Sequence, residues 1–222
     1  MATKQNAIDR KSQDLTIDPG ASGDSWLQFD INTGNEFIIG VDDDAADAFK
    51  IAQGAALGGT DTFVMTAAGE RTMPLQPAFL AYLGTGDDNQ TGNGVIYDLG
   101  SGNALTEVFD QNSDFNVNGT FTASITGRYL LSATILVDGL TNAMTNEYIQ
   151  ILPSNRRYIY QQNPWNDNAV GTGASISVTS VTDMDAADTA IVQLRITNGA
   201  GDTADIVGDA VVNTYFSGCL LV

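Results

Sequence analysis

Histidine is absent from the 222 residues. That excludes Ser-His-Asp and Cys-His nucleophilic catalysis, and any zinc site built on imidazole. The single cysteine, Cys219, cannot close an intrachain disulfide, so the chain is not a small scaffold held by crosslinks. Bases are scarce: nine Lys and Arg stand against 27 Asp and Glu, a net charge of −18. Phosphate backbones are repelled by such a chain, and nucleic acid is not expected as a partner. No run approaches the roughly 18 apolar residues that span a bilayer, so membrane insertion is not expected either. The polar start, Met1 to Asn6, lacks the apolar stretch of a secretory leader and predicts synthesis in a cytoplasm.

What is present is turn chemistry. Glycine occurs 23 times, hydrophobic residues make up 43% and charged residues 16%, the composition of a globular, turn-rich β protein. Charge is unevenly spread. Residues 1–23 balance three bases against three acids, whereas residues 24–72 hold nine acids and two bases. Few large apolar residues occur in 1–23, so this stretch cannot build a core of its own. It reads either as a frayed terminus or as an arm that docks on a larger partner through Lys4, Arg10, Lys11, Leu15 and Ile17.

The next stretch, 24–75, repeats itself. Glu36–Gly40, Asp47–Ile51 and Asp61–Met65 each place a phenylalanine in a short apolar run, with Gly- and Asp-rich turns between. Trp26–Ile31 reads as a preceding strand of the same kind. Such hairpins bury too little surface to stand alone and would leave bare edges. Wrapping three chains about one axis would turn Phe37, Phe49 and Phe63 inward, which predicts an intertwined trimeric β stalk. An ordinary meander packed on the following domain is the alternative.

Residues 76–222 carry about ten strand candidates at the short spacing of a sandwich. In Arg128–Val137, alternation puts Tyr129, Leu131, Ala133, Ile135 and Val137 on one face. In Asp188–Ile196, Ala190, Val192, Leu194 and Ile196 do the same. Tyr148–Leu152, Arg157–Tyr160 and Tyr215–Leu221 add further strands, and no capped helix longer than two turns is found. The expected fold is all-β: an antiparallel jelly-roll sandwich over 76–222, preceded by the stalk over 24–75 and the arm over 1–23.

Three separated motifs then carry a resemblance. Glu107–Asp110 with Asp114–Phe121 and Gly127–Leu131 resembles the central signature of C1q-like (TNF-like) domains. Pro77–Tyr82 resembles their first strand and Thr214–Leu221 their last. The stretch from Phe37 to Pro77 is similar to stalk segments of bacteriophage tail and head fibre proteins. The resemblance implies a homotrimer on a virion surface, attached to other virion proteins through its N-terminus and exposing a C-terminal knob. Phe79, Tyr82, Tyr129, Tyr215 and Phe216 lie on strands that could supply the three-fold contact. A purely intramolecular core is the other reading of each.

Chemistry-bearing residues are few. Asp183, Asp185 and Asp188 gather carboxylates in one turn, as Ca²⁺ requires, or simply form a solvated turn. Nothing singles out a carboxylic acid pair for glycoside hydrolysis, and no enzyme activity is expected. The segment Gln161–Asn168 sets Trp165 among Asn163 and Asn166, with Tyr158 and Tyr160 just before it. Flat aromatic plates ringed by amides suit a host-surface glycan or a protein hot spot. The expected function is therefore adhesion to a host cell surface by a non-enzymatic virion fibre. A capsid decoration with a mainly structural role, or a free-standing C1q-like binding module, are the alternatives.

Overall fold

The computed structural model describes residues 17, 23–30, 36–162 and 173–221, and divides the chain into two compact units, 1–75 and 76–222. In the first unit, β1 (Ser25–Phe29), β2 (Phe37–Asp42), β3 (Ala48–Gln53), β4 (Asp61–Met65) and β5 (Arg71–Thr72) form an antiparallel meander in chain order. Turn chemistry sets these short strands. Asp42 ends β2 and caps a 3-10 turn over Asp43–Ala45 by accepting from the Ala45 amide. Ala46 and Asp47 then reverse the chain at positive φ.

The two faces of this meander are treated differently. On one, the 54–60 connection folds back over the strands. Leu57 is buried against Ile38 and Ala52, and Gly58 lies against the Asp42 carboxylate. Beneath it the Lys50 ammonium sits 2.8 Å from a carboxylate oxygen of both Asp42 and Asp61. Those two bonds, with Asp42 foremost, hold the Lys50 pKa above its ordinary value despite burial. Among the described residues of this unit, no connection folds over the other face in the same way.

The second unit contains β6 (Ala78–Leu83), β7 (Asp87–Thr91), β8 (Ile96–Asp98), β9 (Leu105–Asp110), β10 (Phe115–Asn116), β11 (Thr120–Thr122) and β12 (Gly127–Asp138). They are followed by β13 (Asn146–Pro153), β14 (Tyr158–Gln162), β15 (Ala174–Met184), β16 (Thr189–Thr197), β17 (Ala204–Ile206) and β18 (Tyr215–Leu220). One sheet runs β7-β17-β12-β18-β6-β9, with β15 also paired to β12; the other runs β10-β11-β16-β13-β14, with β8 also paired to β16. From β11 onward the chain crosses repeatedly between the sheets, and every pairing is antiparallel. This is a jelly-roll sandwich.

The core is where period-two alternation places it. Tyr129, Leu131, Ala133, Ile135 and Val137 of β12 are fully buried, as are Ala190, Val192, Leu194 and Ile196 of β16. Phe79 stacks on Phe115 and Phe121 with ring centroids 4.7 and 4.8 Å away, and meets Phe216 edge-on at 5.0 Å. The Tyr129 hydroxyl donates to the Ile125 carbonyl at 2.7 Å while its ring meets Phe121. Phe79, Tyr129 and Phe216 are thus corrected from the expected trimer contact. They are at most 1% exposed within one protomer, because the inward register of β6, β12 and β18 aims them between the sheets.

Candidate interaction surfaces

In the first unit, register decides which side chains share the uncovered face. Phe29 pairs with Phe37, Leu27 with Ile39, Val41 with Phe49, and Ile51 with both Ile39 and Phe63. Alternation therefore aligns Leu27, Phe29, Phe37, Ile39, Val41, Phe49, Ile51, Phe63 and Met65 on one side of the sheet. Phe29 is 57% exposed, Phe37 46% and Leu27 45%, and the others are exposed or half-buried. Phe49 and Phe63, expected to point inward in the stalk, meet edge-on at 6.4 Å on this same face. Among the described residues, these nine side chains form one contiguous apolar face of the meander.

In the second unit, the outer side of the seven-stranded sheet is mixed. Leu130 stands between Val181 and Cys219, and Ser217 faces Leu80, which faces Phe109. Tyr82 and Tyr215 are paired directly across β6 and β18 and are half-buried on this outer side. Between the apolar groups run two hydroxyl pairs, Ser132 with Thr179 and Thr134 with Ser177, each 2.8 Å apart. Of the five aromatic residues expected at a three-fold contact on these strands, only Tyr82 and Tyr215 face outward.

Tyr158 and Tyr160 occupy a different position. β14 ends one sheet and β15 is the outermost strand beside β12 in the other. Between them opens a groove of about 460 Å³, lined by Arg157, Tyr158, Ile159, Tyr160 and residues 177–180 of β15. The buried Ser180 hydroxyl at its wall has no hydrogen-bond partner among the described residues. Asn163, Trp165 and Asn166 lie outside the described residues, as do Lys4, Arg10, Lys11 and Leu15. Ile17 is described and 44% exposed.

The carboxylates of Asp183 and Asp188 have protein partners. Asp188 accepts from the Asp185 amide at 2.9 Å and from the Asn155 side chain at 3.1 Å, which closes the turn between β15 and β16. Asp183 faces the Arg156 guanidinium at 3.3 Å on an open surface. Among the described residues, no group of three or more His, Cys, Asp or Glu side chains is placed to hold a metal ion. Burial raises the Asp114 pKa, but its neighbour Asp110 is spent capping the Asp114 and Phe115 amides.

Sequence reasoning missed two buried polar centres. Asp87, 4% exposed, accepts from the Tyr97 hydroxyl at 2.6 Å and from the Asn103 amide and side chain. Burial, and then the bond to Asp87, push the Tyr97 phenol well above its ordinary pKa. Glu147 is fully buried on the inner side of β13, where the Gln162 side chain donates to it at 3.3 Å. Neither lies in a motif; an acid at an inward position of an alternating strand was the available signal for Glu147.

No family model and no curated protein sequence matches this chain. Among solved structures, the globular domain of the zebrafish complement 1qA protein is similar, with TM-score 0.46 and 14% identity over 66% of this chain and 98% of that one. Murine APRIL gives TM-score 0.44 at 11% identity over 66% and 99% of the two chains. The Eiger TNF of S. frugiperda gives 0.40 at 15% identity over 66% and 94%.

Proposed function

We propose that this chain is the subunit of a homotrimeric, non-enzymatic bacteriophage virion fibre. In this reading 1–23 anchors it to other virion proteins, 24–75 forms the stalk, and 76–222 is a knob that adheres to a host cell surface. One observation carries the assembly: the meander covers one face with its own 54–60 connection and leaves nine large apolar side chains on the other. Copies of the same chain provide a matching apolar surface, and closure about an axis leaves no copy with an unmet face. The outer side of the seven-stranded sheet, with Tyr82, Tyr215, Phe109 and Val181, supports a second contact between copies. The similarity of Phe37–Pro77 to phage fibre stalks supports placement on a virion. Three identical knobs would then bind weakly and hold by avidity, with no covalent step.

Light scattering of the full chain tests the assembly, with an expected mass of three times 23.4 kDa. Phe37→Asp should shift that mass toward one chain, whereas Ala55→Asp, on the connection over the covered face, should not. A monomer at concentrations well above micromolar ends the proposal. Adhesion is tested by labelling the full chain and measuring its retention on host cells; no retention by the trimer removes the attachment role and leaves a structural one.

A further inference from the structure

We infer that the outer end of the β13–β14 hairpin is a binding site for a neutral sugar. The inference deepens the adhesion reading above and rests on it for biological meaning, though not for its chemistry.

A cavity of about 370 Å³ lies there, lined by Thr145, Asn146, Gln161 and Gln162. Among the described residues, the lining side chains are uncharged hydrogen-bonding groups, in a chain of net charge −18. The amides are held in defined orientations. Gln161 donates its side-chain NH₂ to the Asn146 side-chain oxygen Oδ1 at 3.1 Å, which leaves the Gln161 Oε1 acceptor and the Asn146 Nδ2 donor for a ligand. Gln162 is fixed from beneath, because its Nε2 donates to the fully buried Glu147 carboxylate. Thr145 accepts from the Asn198 side chain, which sets the cavity's other wall.

Tyr148 does not line the cavity but neighbours it on the same face of the sheet. Tyr148 is paired across the strands with Gln161 on one side and Arg195 on the other, and is half-buried on the same outer side as Asn146. One step further along β13, Gln150 continues the polar row. Asp98 accepts from Gln193 at 2.7 Å and Gln193 accepts from Gln150, which dictates the direction of both amides. The Gln150 Oε1 atom at the end of that row is buried without a hydrogen-bond partner among the described residues.

A donor and an acceptor side by side match adjacent sugar hydroxyls, each of which both gives and takes a hydrogen bond. Tyr148, the cross-strand neighbour of Gln161, is the aromatic residue on this face to which a pyranose reaching beyond the amides would apply its apolar side. Anionic ligands fit less well: among the described residues no cation lines the cavity, and the guanidinium of Arg195, paired with Tyr148, commits its Nε to the Gly94 carbonyl at 2.8 Å.

The test titrates the full chain with glucose, galactose, N-acetylglucosamine and rhamnose, read by saturation-transfer NMR and calorimetry. Saturable binding of at least one is expected. Tyr148→Ala should weaken it about ten-fold, the loss of one stacking contact, while Tyr148→Phe keeps it within about two-fold. Gln161→Ala, on an exposed edge strand that tolerates truncation, should weaken it comparably. No saturable binding of any of the four, or binding indifferent to both Tyr148→Ala and Gln161→Ala, overturns the site. Host-cell retention of the same variants separates the two proposals. Sugar binding without retention on cells leaves the site and ends adhesion. Retention that survives both variants in a chain that binds no sugar leaves adhesion and ends the site.

Discussion

Lys50 shows how a single side chain can hold a small unit together. A five-stranded meander whose buried apolar residues, among those described, are Ile38, Ala48, Ala52 and Leu57 has little apolar core. Its covered face depends on an ammonium clamped between Asp42 and Asp61. Lys50→Met should therefore cost about 3–5 kcal/mol of unit stability, because two carboxylates lose their counter-charge in a dry site. The triple change with Asp42→Asn and Asp61→Asn should recover much of it, as read by denaturant midpoints. The pH dependence has a definite sign. The folded-state pKa of Lys50 lies above its unfolded value, so the clamp's contribution is fully present below about pH 10.4 and is lost as pH rises through the folded value. The denaturant midpoint of this unit should accordingly gain nothing from the clamp's titration through neutral pH and lose the clamp's contribution only as pH rises above about 10.4.

Tyr97 behaves likewise with a neutral donor. Its folded-state pKa is raised, so the contribution of its bond to Asp87 is fully present below about pH 10 and is lost as pH rises through the higher folded value, where the phenol ionises. Tyr97→Phe should cost about 1–3 kcal/mol, since a buried carboxylate loses one of its donors while Asn103 retains the rest. Chemical denaturation at pH 7 checks it.

At the scale of elements, turns decide more than strands do. The β10–β11 reversal closes with the Gly119 amide donating to the Asn116 carbonyl at 2.9 Å, at a φ of +90°. A Cβ at that position would stand 1.8 Å from the Leu99 carbonyl oxygen. Gly119→Ala should cost at least about 2 kcal/mol, since it imposes both a strained dihedral and a collision with main chain that cannot rotate away. The loss should appear as a lowered midpoint for unfolding of 76–222. Strand alternation was legible in advance for β12 and β16, whose inward positions are the ones read from the sequence. Phe79 and Phe216 were less legible. Each shares its strand with a tyrosine of opposite orientation, and a one-residue change of register exchanges core for surface.

At the scale of the whole molecule, the proposed assembly would use two surfaces, and their contributions are separable. A chain beginning at Met73 retains the outer side of the seven-stranded sheet but not the meander. If that sheet assembles by itself, this chain should be trimeric by light scattering, and Phe109→Asp should reduce it to one copy. If only the meander's apolar face drives assembly, the shortened chain should be monomeric and Phe109→Asp in the full chain should leave the mass unchanged.

The sequence by itself determined the all-β class, the strand alternation of the sandwich and the lack of histidine chemistry, because these follow from residue type and a period of two. It also placed Phe37, Phe49 and Phe63 on strands of one repeated kind. Only the tertiary structure decided that these three share a bare face, that Lys50 lies beneath the opposite one, and that Asp87 and Glu147 are buried. Those facts depend on register across strands and on one connection folding over its own sheet. The same is true of the Asn146–Gln161 amide pair, whose members are fifteen residues apart in sequence and meet only because β13 and β14 are hydrogen-bonded neighbours.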